Sequence, residues 1–386
     1  MEHASRAKKI LSIFGTSREA VNMAPVLHEL TSLPGIEART CVTGVRSGLL
    51  EETMGVFGLE SDYDLEIPCN HGSLFELTTA SLGGLREVFL DLRPDMILLE
   101  GDSPGSMAAA LAAFFMHIPL GHIGAGLRTC DLASPWPEEF NRRMISLAAT
   151  IHFVPTARAR HNLIAERIQP DSIELTGNTS VDAVRAIIAR REEFPELREL
   201  FSGRKMVLMT LDPAHQSNQD THQILLCIRE LAVHHPEICV VWTMPRHAAI
   251  HRQAADLLSH LENIVMIPQM PFPKIVYLTH HCQFVITDSG SMQEYAAALG
   301  KPVVLLRERT ERPEGIETGG TILTGSAPEK LQLVLETLAD LESPAWRRMS
   351  DAPNPFGDGN AAVRIANRVW REVTRTEKRL YRTSRV

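Results

Sequence analysis

Apolar runs of four to seven residues recur along the chain, each followed by a turn and a longer segment with apolar positions at helical spacing. Lys8-Lys-Ile-Leu-Ser-Ile-Phe14 opens the series as a buried strand. A helix over residues 19–31 follows, then a strand over Ala38–Thr43 and a turn and helix over Gly44–Phe57. Leu74–Leu92 reads as helix, Met96–Leu99 as strand, the alanine-rich Ser106–Phe115 as helix and Pro119–Ile123 as strand. Ile151–Val154, Ala157–Glu166 and Ser172–Gly177 continue the alternation, and a helix runs on to Arg190. A charged run, Glu192–Gly203, is interrupted by Pro195, and the pattern then restarts at Lys205–Thr210. Strands at Glu237–Thr243, Ile264–Ile267, Phe284–Thr287 and Pro302–Leu306 alternate with helices over 219–234, 249–261, 272–280, 291–299 and 328–341. Asn360–Thr374 closes the chain as a helix. This alternation predicts an α/β protein with two doubly wound, Rossmann-like parallel sheets. The first domain is expected over 1–180 and the second over 204–358, with the linker near 178–204.

A length of 386 residues fits two such domains. A hydrophobic fraction of 44% and a charged fraction of 22% are those of an ordinary soluble protein. The net charge of −8 offers no general attraction to nucleic acid or to an anionic membrane. Six cysteines without a C-x-x-C pair read as reduced thiols, which points to the cytoplasm. The polar N-terminus runs straight into a strand and does not read as a signal peptide. No apolar run is long enough to span a membrane, and no cluster of metal-ligating residues stands out.

Candidate chemistry lies where strands end. The run from Gly121 to Arg143 carries His122, Arg128, Asp131, Glu138, Glu139, Asn141 and Arg142 around a Pro135-Trp136-Pro137 elbow. Charged groups gathered on loops after buried strands are where α/β proteins keep their sites. Phe14-Gly-Thr-Ser-Arg-Glu19 joins a strand to a helix in the manner of an anion site. Thr287-Asp-Ser-Gly-Ser-Met-Gln-Glu294 repeats that arrangement. There the N–H groups at Ser289, Gly290 and Ser291 would face a diphosphate, unless Ser289 or Ser291 simply caps the helix. The charged run Arg307–Glu314 follows the next strand and would lie beside the same anion, or else form a solvated surface.

These motifs resemble the non-hydrolysing UDP-N-acetylglucosamine (UDP-GlcNAc) 2-epimerases. The resemblance runs from Ile10 to Arg371. It rests on Phe14-Gly-Thr, Met23-Ala-Pro25, Gly101-Asp102, Ala125-Gly-Leu-Arg-Thr129, Ser134-Pro-Trp-Pro-Glu-Glu139, Thr176-Gly-Asn178, Thr287-Asp-Ser-Gly290, Thr310-Glu-Arg-Pro-Glu314 and Asn354-Pro-Phe-Gly-Asp-Gly359. It implies a glycosyltransferase-B fold, a terminal helix over 359–378 packing back on the first domain, a homodimer, and a UDP-sugar as substrate without a separate cofactor or metal. In the family's reaction the C1–O bond to UDP breaks while a base removes the C2 proton, and UDP then re-adds to the resulting glycal with C2 inverted.

Asp102 and Glu138 match the family's catalytic carboxylates. Other matching positions differ. Gly124 stands where the family has a glutamate, and Ser17 and Asn22 stand where it has an arginine and a lysine. Asp212-Pro-Ala-His215 replaces a His-Arg-Arg-Glu run. Arg18 and His215 are therefore candidate replacements for diphosphate-facing charge, beside Ser289, Gly290, Ser291 and Glu294 on the UDP side. The sugar and acceptor pocket is expected from Gly124, His122, Trp136 and Arg128. In this assignment Arg128 and Arg142 brace the loop through Asp131 or Glu139. His122 serves either the core or the sugar, and Trp136 packs or bounds an aromatic acceptor. Losing several acid–base groups, each worth ~10²–10⁴ in rate, argues against C2 epimerisation. The expectation drawn from the sequence is thus a transferase moving N-acetylglucosamine to a nitrogen of a small acceptor such as a 7-deazapurine. The alternatives are a UDP-GlcNAc 2-epimerase, a UDP-GlcNAc hydrolase and a nucleotide-sugar binding protein without turnover.

Overall fold

The computed structural model of the chain describes residues 6–44, 47–67, 73–212, 217–245, 247–341 and 343–383. The chain folds into two units, one of residues 1–183 with 357–386, the other of residues 184–356. The first holds a seven-stranded sheet: β1 (Lys8–Phe14), β2 (Ile36–Val42), β3 (Tyr63–Asp64), β4 (Met96–Glu100), β5 (Leu120–Ile123), β6 (Ile151–Val154) and β7 (Ile173–Leu175). Their order is β3-β2-β1-β4-β5-β6-β7, and every pair is parallel. The second holds β8 (Lys205–Thr210), β9 (Ile238–Met244), β10 (Ile264–Pro268), β11 (Val285–Thr287), β12 (Val303–Leu305) and β13 (Thr321–Leu323). Their order is β10-β9-β8-β11-β12-β13, again all parallel. These are the two doubly wound sheets of a glycosyltransferase-B fold.

Each order reverses once, between β1 and β4 in the first sheet and between β8 and β11 in the second. At such a switch point the two neighbouring connections leave toward opposite faces, and the carboxyl ends of the strands open a crevice. The ends of β1, β4 and β5 therefore come together around Arg18, Glu100, Asp102 and Gly124. The ends of β8 and β11 come together around Asp212 and Asp288.

Local chemistry sets the elements around the first crevice. Thr16 caps the helix Ser17–Thr31, and Glu19 completes a reciprocal capping box. Ser103 caps the helix Pro104–Phe115, with Pro104 at its first position where no N–H is needed. The helix Glu138–Ala148 starts directly after the Pro-Trp-Pro elbow. Beneath these, Ile10, Phe14, Met23, Val26 and Leu30 share one core with Ile365, Ala366 and Val369 of the terminal helix Ala361–Thr383. That helix belongs to the first unit, and Asp182 anchors its start by accepting from the backbone N–H groups of Ala361 and Ala362, at 3.3 and 2.9 Å.

Sequence periodicity misses the short elements. β3 and β13 are two and three residues long, and the helices Pro195–Glu199 and Pro344–Ser350 span five and seven, too few for a period to show. The stretch 178–204 contains the helix Thr179–Arg190 and the helix Pro195–Glu199, which Pro195 begins rather than breaks.

Truncating a side chain that ties the terminal helix to the first sheet removes buried methyl groups without a replacement. Ile365→Ala is expected to cost about 2–5 kcal/mol. The check is a lowered thermal midpoint of the first unit by calorimetry, and an unchanged midpoint would show that the helix contributes nothing to that core.

Candidate active site

The first crevice is built on Asp102, which lies one residue past the Gly101 turn that ends β4 and is 5% exposed. Its Oδ1 accepts from Arg18 Nη2 at 2.8 Å, and its Oδ2 accepts from Arg142 Nε at 2.7 Å. Asn141 Nδ2 donates to its main-chain carbonyl at 2.8 Å. The first helix, the β4 turn and the helix after the elbow thus meet on one carboxylate. Burial works to raise the Asp102 pKa, but Arg142 and Arg18 outweigh it and hold the group well below the usual carboxylate range. The Arg18 guanidinium is raised in turn, chiefly by Asp102. Arg18 keeps part of its side chain exposed, whereas Arg142 is buried.

Glu139 holds the elbow. It is fully buried and accepts from the backbone N–H of Thr129 at 3.0 Å and of Cys130 at 3.2 Å, with Arg142 and Arg143 beside it. Glu138 starts the helix. Its Oε2 is buried without a hydrogen-bond partner among the described residues, and burial, reinforced by Asp102, raises its pKa.

Glu100, the last residue of β4, is the group that sequence reasoning did not single out. It is 7% exposed. Asn22 Nδ2 donates to its Oε1 at 2.7 Å, and Oε2 has no partner among the described residues. Burial pushes its carboxyl up to about 8, with Glu19 and Asp102 adding to the rise and Arg18 opposing it. Its signal in the sequence was only a carboxylate at the end of an otherwise apolar strand. Gly124 sits across from it at the end of β5. Among the described residues, a Cβ at Gly124 would meet Glu100 Oε1 at 3.6 Å. The gap expected at this glycine is therefore bordered by another carboxyl.

Other predicted residues have different tasks. His122 is 1% exposed, with Nε2 2.9 Å from the Gly101 carbonyl, and burial lowers its pKa to about 3, so it braces the turn as a neutral ring. Arg128 does brace a loop, but through Glu166 at 2.8 Å and Ser146 at 2.9 Å rather than Asp131 or Glu139. Glu166 lies after β6, too far along the chain for spacing to reveal the pair. Trp136 is 68% exposed and so does not pack as expected. The elbow holds its ring outward, with cis peptide bonds at Ser134–Pro135 and Trp136–Pro137.

The second crevice belongs to the other sheet. Asp288 lies at the end of β11, fully buried, and both its oxygens accept from the Asp212 N–H at 3.0 Å. Burial raises its carboxyl to about 7, opposed by the Asp212 N–H and Arg307. Ser289 stands at the N-cap of the helix Gly290–Ala298 without making a side-chain cap bond, while Ser291 is buried in the first turn. A Cβ at Gly290 would lie 2.5 Å from Arg312 Nη1 and 2.8 Å from Glu311 Oε1, so those side-chain ends would have to shift for a larger residue. Glu294 pairs with Arg312, which also pairs with Glu311, and Arg307 donates to the Asp288 carbonyl. The Arg307–Glu314 run is thus folded onto the helix start rather than wholly solvated. His215 falls outside the described residues. No group of three or more potential metal-ligating side chains comes together among the described residues, and none of their helices is long and apolar enough to cross a membrane.

The family model described as UDP-N-acetylglucosamine 2-epimerase matches residues 28–369. The chain belongs to this family. It is 37% identical over 365 residues to the UDP-N-acetylglucosamine 2-epimerase of Yersinia pestis, an alignment covering 92% of this chain and 97% of the relative. The enzyme of the same name from Escherichia coli K12 is 35% identical, with the same coverage. Among solved structures, UDP-GlcNAc 2-epimerase from Neisseria meningitidis bound to UDP-GlcNAc superposes with a TM-score of 0.89 at 35% identity, covering 94% of this chain and 100% of that one. A glycosyltransferase from Rickettsia africae, at 13% identity and a TM-score of 0.61, shares the fold alone.

These findings overturn the expectation of an N-glycosyltransferase acting on a small base. Relatives at this identity over nearly the whole chain carry the epimerase name, and the likeness to a glycosyltransferase is one of fold. The physical premise of that expectation also weakens, because the glycine at 124 does not leave this crevice without a second buried carboxyl.

Two outcomes follow from these charges. Arg142→Met leaves Asp102 buried with one cationic partner fewer, and a loss of about 3–5 kcal/mol is expected, read as a lower thermal midpoint. Glu100 binds its proton more tightly in the folded state than in the unfolded chain. Its stabilising contribution is therefore complete below about pH 4.5 and is lost as pH rises through about 8. Denaturation of Glu100→Gln across that window should show a shallower decline than the parent chain, and parallel curves would refute the assignment.

Proposed function

We propose that the chain interconverts UDP-GlcNAc and UDP-N-acetylmannosamine by inverting C2 of the sugar. The observation that carries this reading is the Asp102 cluster. Three elements converge on one buried carboxylate, and Glu138 and Glu100, each with an oxygen that has no partner among the described residues, belong to its immediate electrostatic surroundings. The names of relatives matching over nearly the full length support the same substrate.

The chemistry asks for two things. Departure of UDP from C1 needs positive charge or N–H groups to meet the negative diphosphate. Removal of the C2 proton needs a carboxylate that is ionised yet basic enough to take it. Asp102 is the poorer base, because two guanidinium groups stabilise its charge. It positions Arg18 and Arg142 instead. Glu138, raised by burial and with an oxygen lacking a partner among the described residues, is assigned as the base.

Proton NMR of UDP-GlcNAc incubated with the enzyme in deuterium oxide tests the reading. The expected result is deuterium at C2 together with the signals of UDP-N-acetylmannosamine. Release of UDP with no exchange at C2 would sink it. Glu138→Gln is expected to lower kcat by ~10²–10⁴ in this assay.

A further inference from the structure

We propose that Glu100 is a second catalytic carboxyl of this site, the acid that returns a proton to C2 on the face opposite the one from which it was taken. This rests on the epimerase reading above. Inversion at a carbon requires the proton to leave from one face and arrive on the other, which one carboxyl held in a rigid site does not manage by itself. The first crevice supplies a second at the end of β4.

Three observations support it. Glu100 precedes Asp102 by two residues, at the switch point between β1 and β4 where ligands of such sheets bind. Its carboxyl is held by one hydrogen bond to Oε1, from Asn22, leaving Oε2 buried and without a partner among the described residues. A buried, half-satisfied carboxyl is costly to keep and calls for a reason. Finally, β5 ends opposite it in a residue with no side chain. Gly124 has φ +75°, and Glu100 Oε1 lies 3.6 Å from the place where a Cβ would project. The side-chain-free position lets a neighbouring carboxyl border space that a longer residue at 124 would occupy.

The groups facing Glu100 fit the assignment. Burial disfavours its charge most, Arg18 on the first helix opposes that, and Glu19 on the same helix and Asp102 on its own turn add to the rise. The balance keeps Glu100 largely protonated near neutral pH, while Asp102 stays ionised. Two neighbouring carboxyls driven in opposite directions can divide acid and fixed-charge roles.

The C2–H electron pair becomes the C1=C2 double bond, the C1–O pair leaves with UDP, and the proton goes to Glu138. On return, an oxygen of UDP donates a pair to re-form the C1–O bond. The double-bond pair takes the Glu100 proton at C2, leaving Glu100 ionised. Exchange with solvent restores both carboxyls.

The test is Glu100→Gln, which preserves shape and the bond from Asn22 while removing the exchangeable acid. A loss of ~10²–10⁴ in kcat is expected with KM for UDP-GlcNAc changed by less than about threefold. The kcat of the parent enzyme is expected to fall as pH rises through about 8, where Glu100 loses its proton. A Glu100→Gln enzyme that folds and retains the parent kcat overturns the proposal, as does a loss confined to KM. Should that variant not fold, the parent pH profile decides, and a kcat that holds level through about pH 8 overturns it. A parent enzyme that exchanges no C2 proton at all defeats the epimerase reading itself, and this inference falls with it. Parent turnover alongside an unaffected variant defeats the Glu100 assignment alone.

Discussion

The arrangement of the first unit depends on how one buried carboxylate is neutralised. Asp102 lies out of water, where an ionised group without partners is not tolerated. Two arginines, from the first helix and from the helix after the Pro-Trp-Pro elbow, approach it from separate parts of the chain. Satisfying Asp102 therefore fixes the positions of three elements at the carboxyl edge of the sheet. Arg142 also touches Glu139, which in turn gathers the Thr129 and Cys130 N–H groups, so the elbow loop is ordered through the same charges.

That network also separates the behaviour of its carboxyls. Asp102 has guanidinium partners on both oxygens and remains charged. Glu100, equally buried, has an amide on one oxygen and acidic neighbours in Glu19 and Asp102. The difference comes from the partners, not from burial, which acts on both in the same direction. A site assembled this way holds an ionised and a protonated carboxyl two residues apart at one pH.

The second unit repeats the logic on the other sheet. Asp288 is buried at the strand end, where the Asp212 N–H and Arg307 oppose the cost of its charge. Glu294, Glu311 and Arg312 close the side of the helix start. A side chain at Gly290 would displace the ends of Arg312 and Glu311. That contact between the glycine and the protein's own charges is one that its neighbours in sequence do not disclose.

Hydrophobic alternation alone was enough to derive the two doubly wound sheets, because buried parallel strands and amphipathic helices impose their periods on consecutive residues. The motifs around Asp102, Glu138 and Ser289–Ser291 were legible for a similar reason: turn residues and charges at strand ends are local signals. What only the tertiary structure decided was which groups meet across the chain. Arg128 finds Glu166 after another strand, Trp136 faces outward, and Glu100 comes to border Gly124 from the neighbouring strand. A linear reading saw a missing acid at position 124, because it compares residues position by position. The sheet places the ends of β4 and β5 side by side, so a carboxyl on one strand can border the empty position on the next, and no spacing along the sequence encodes that adjacency.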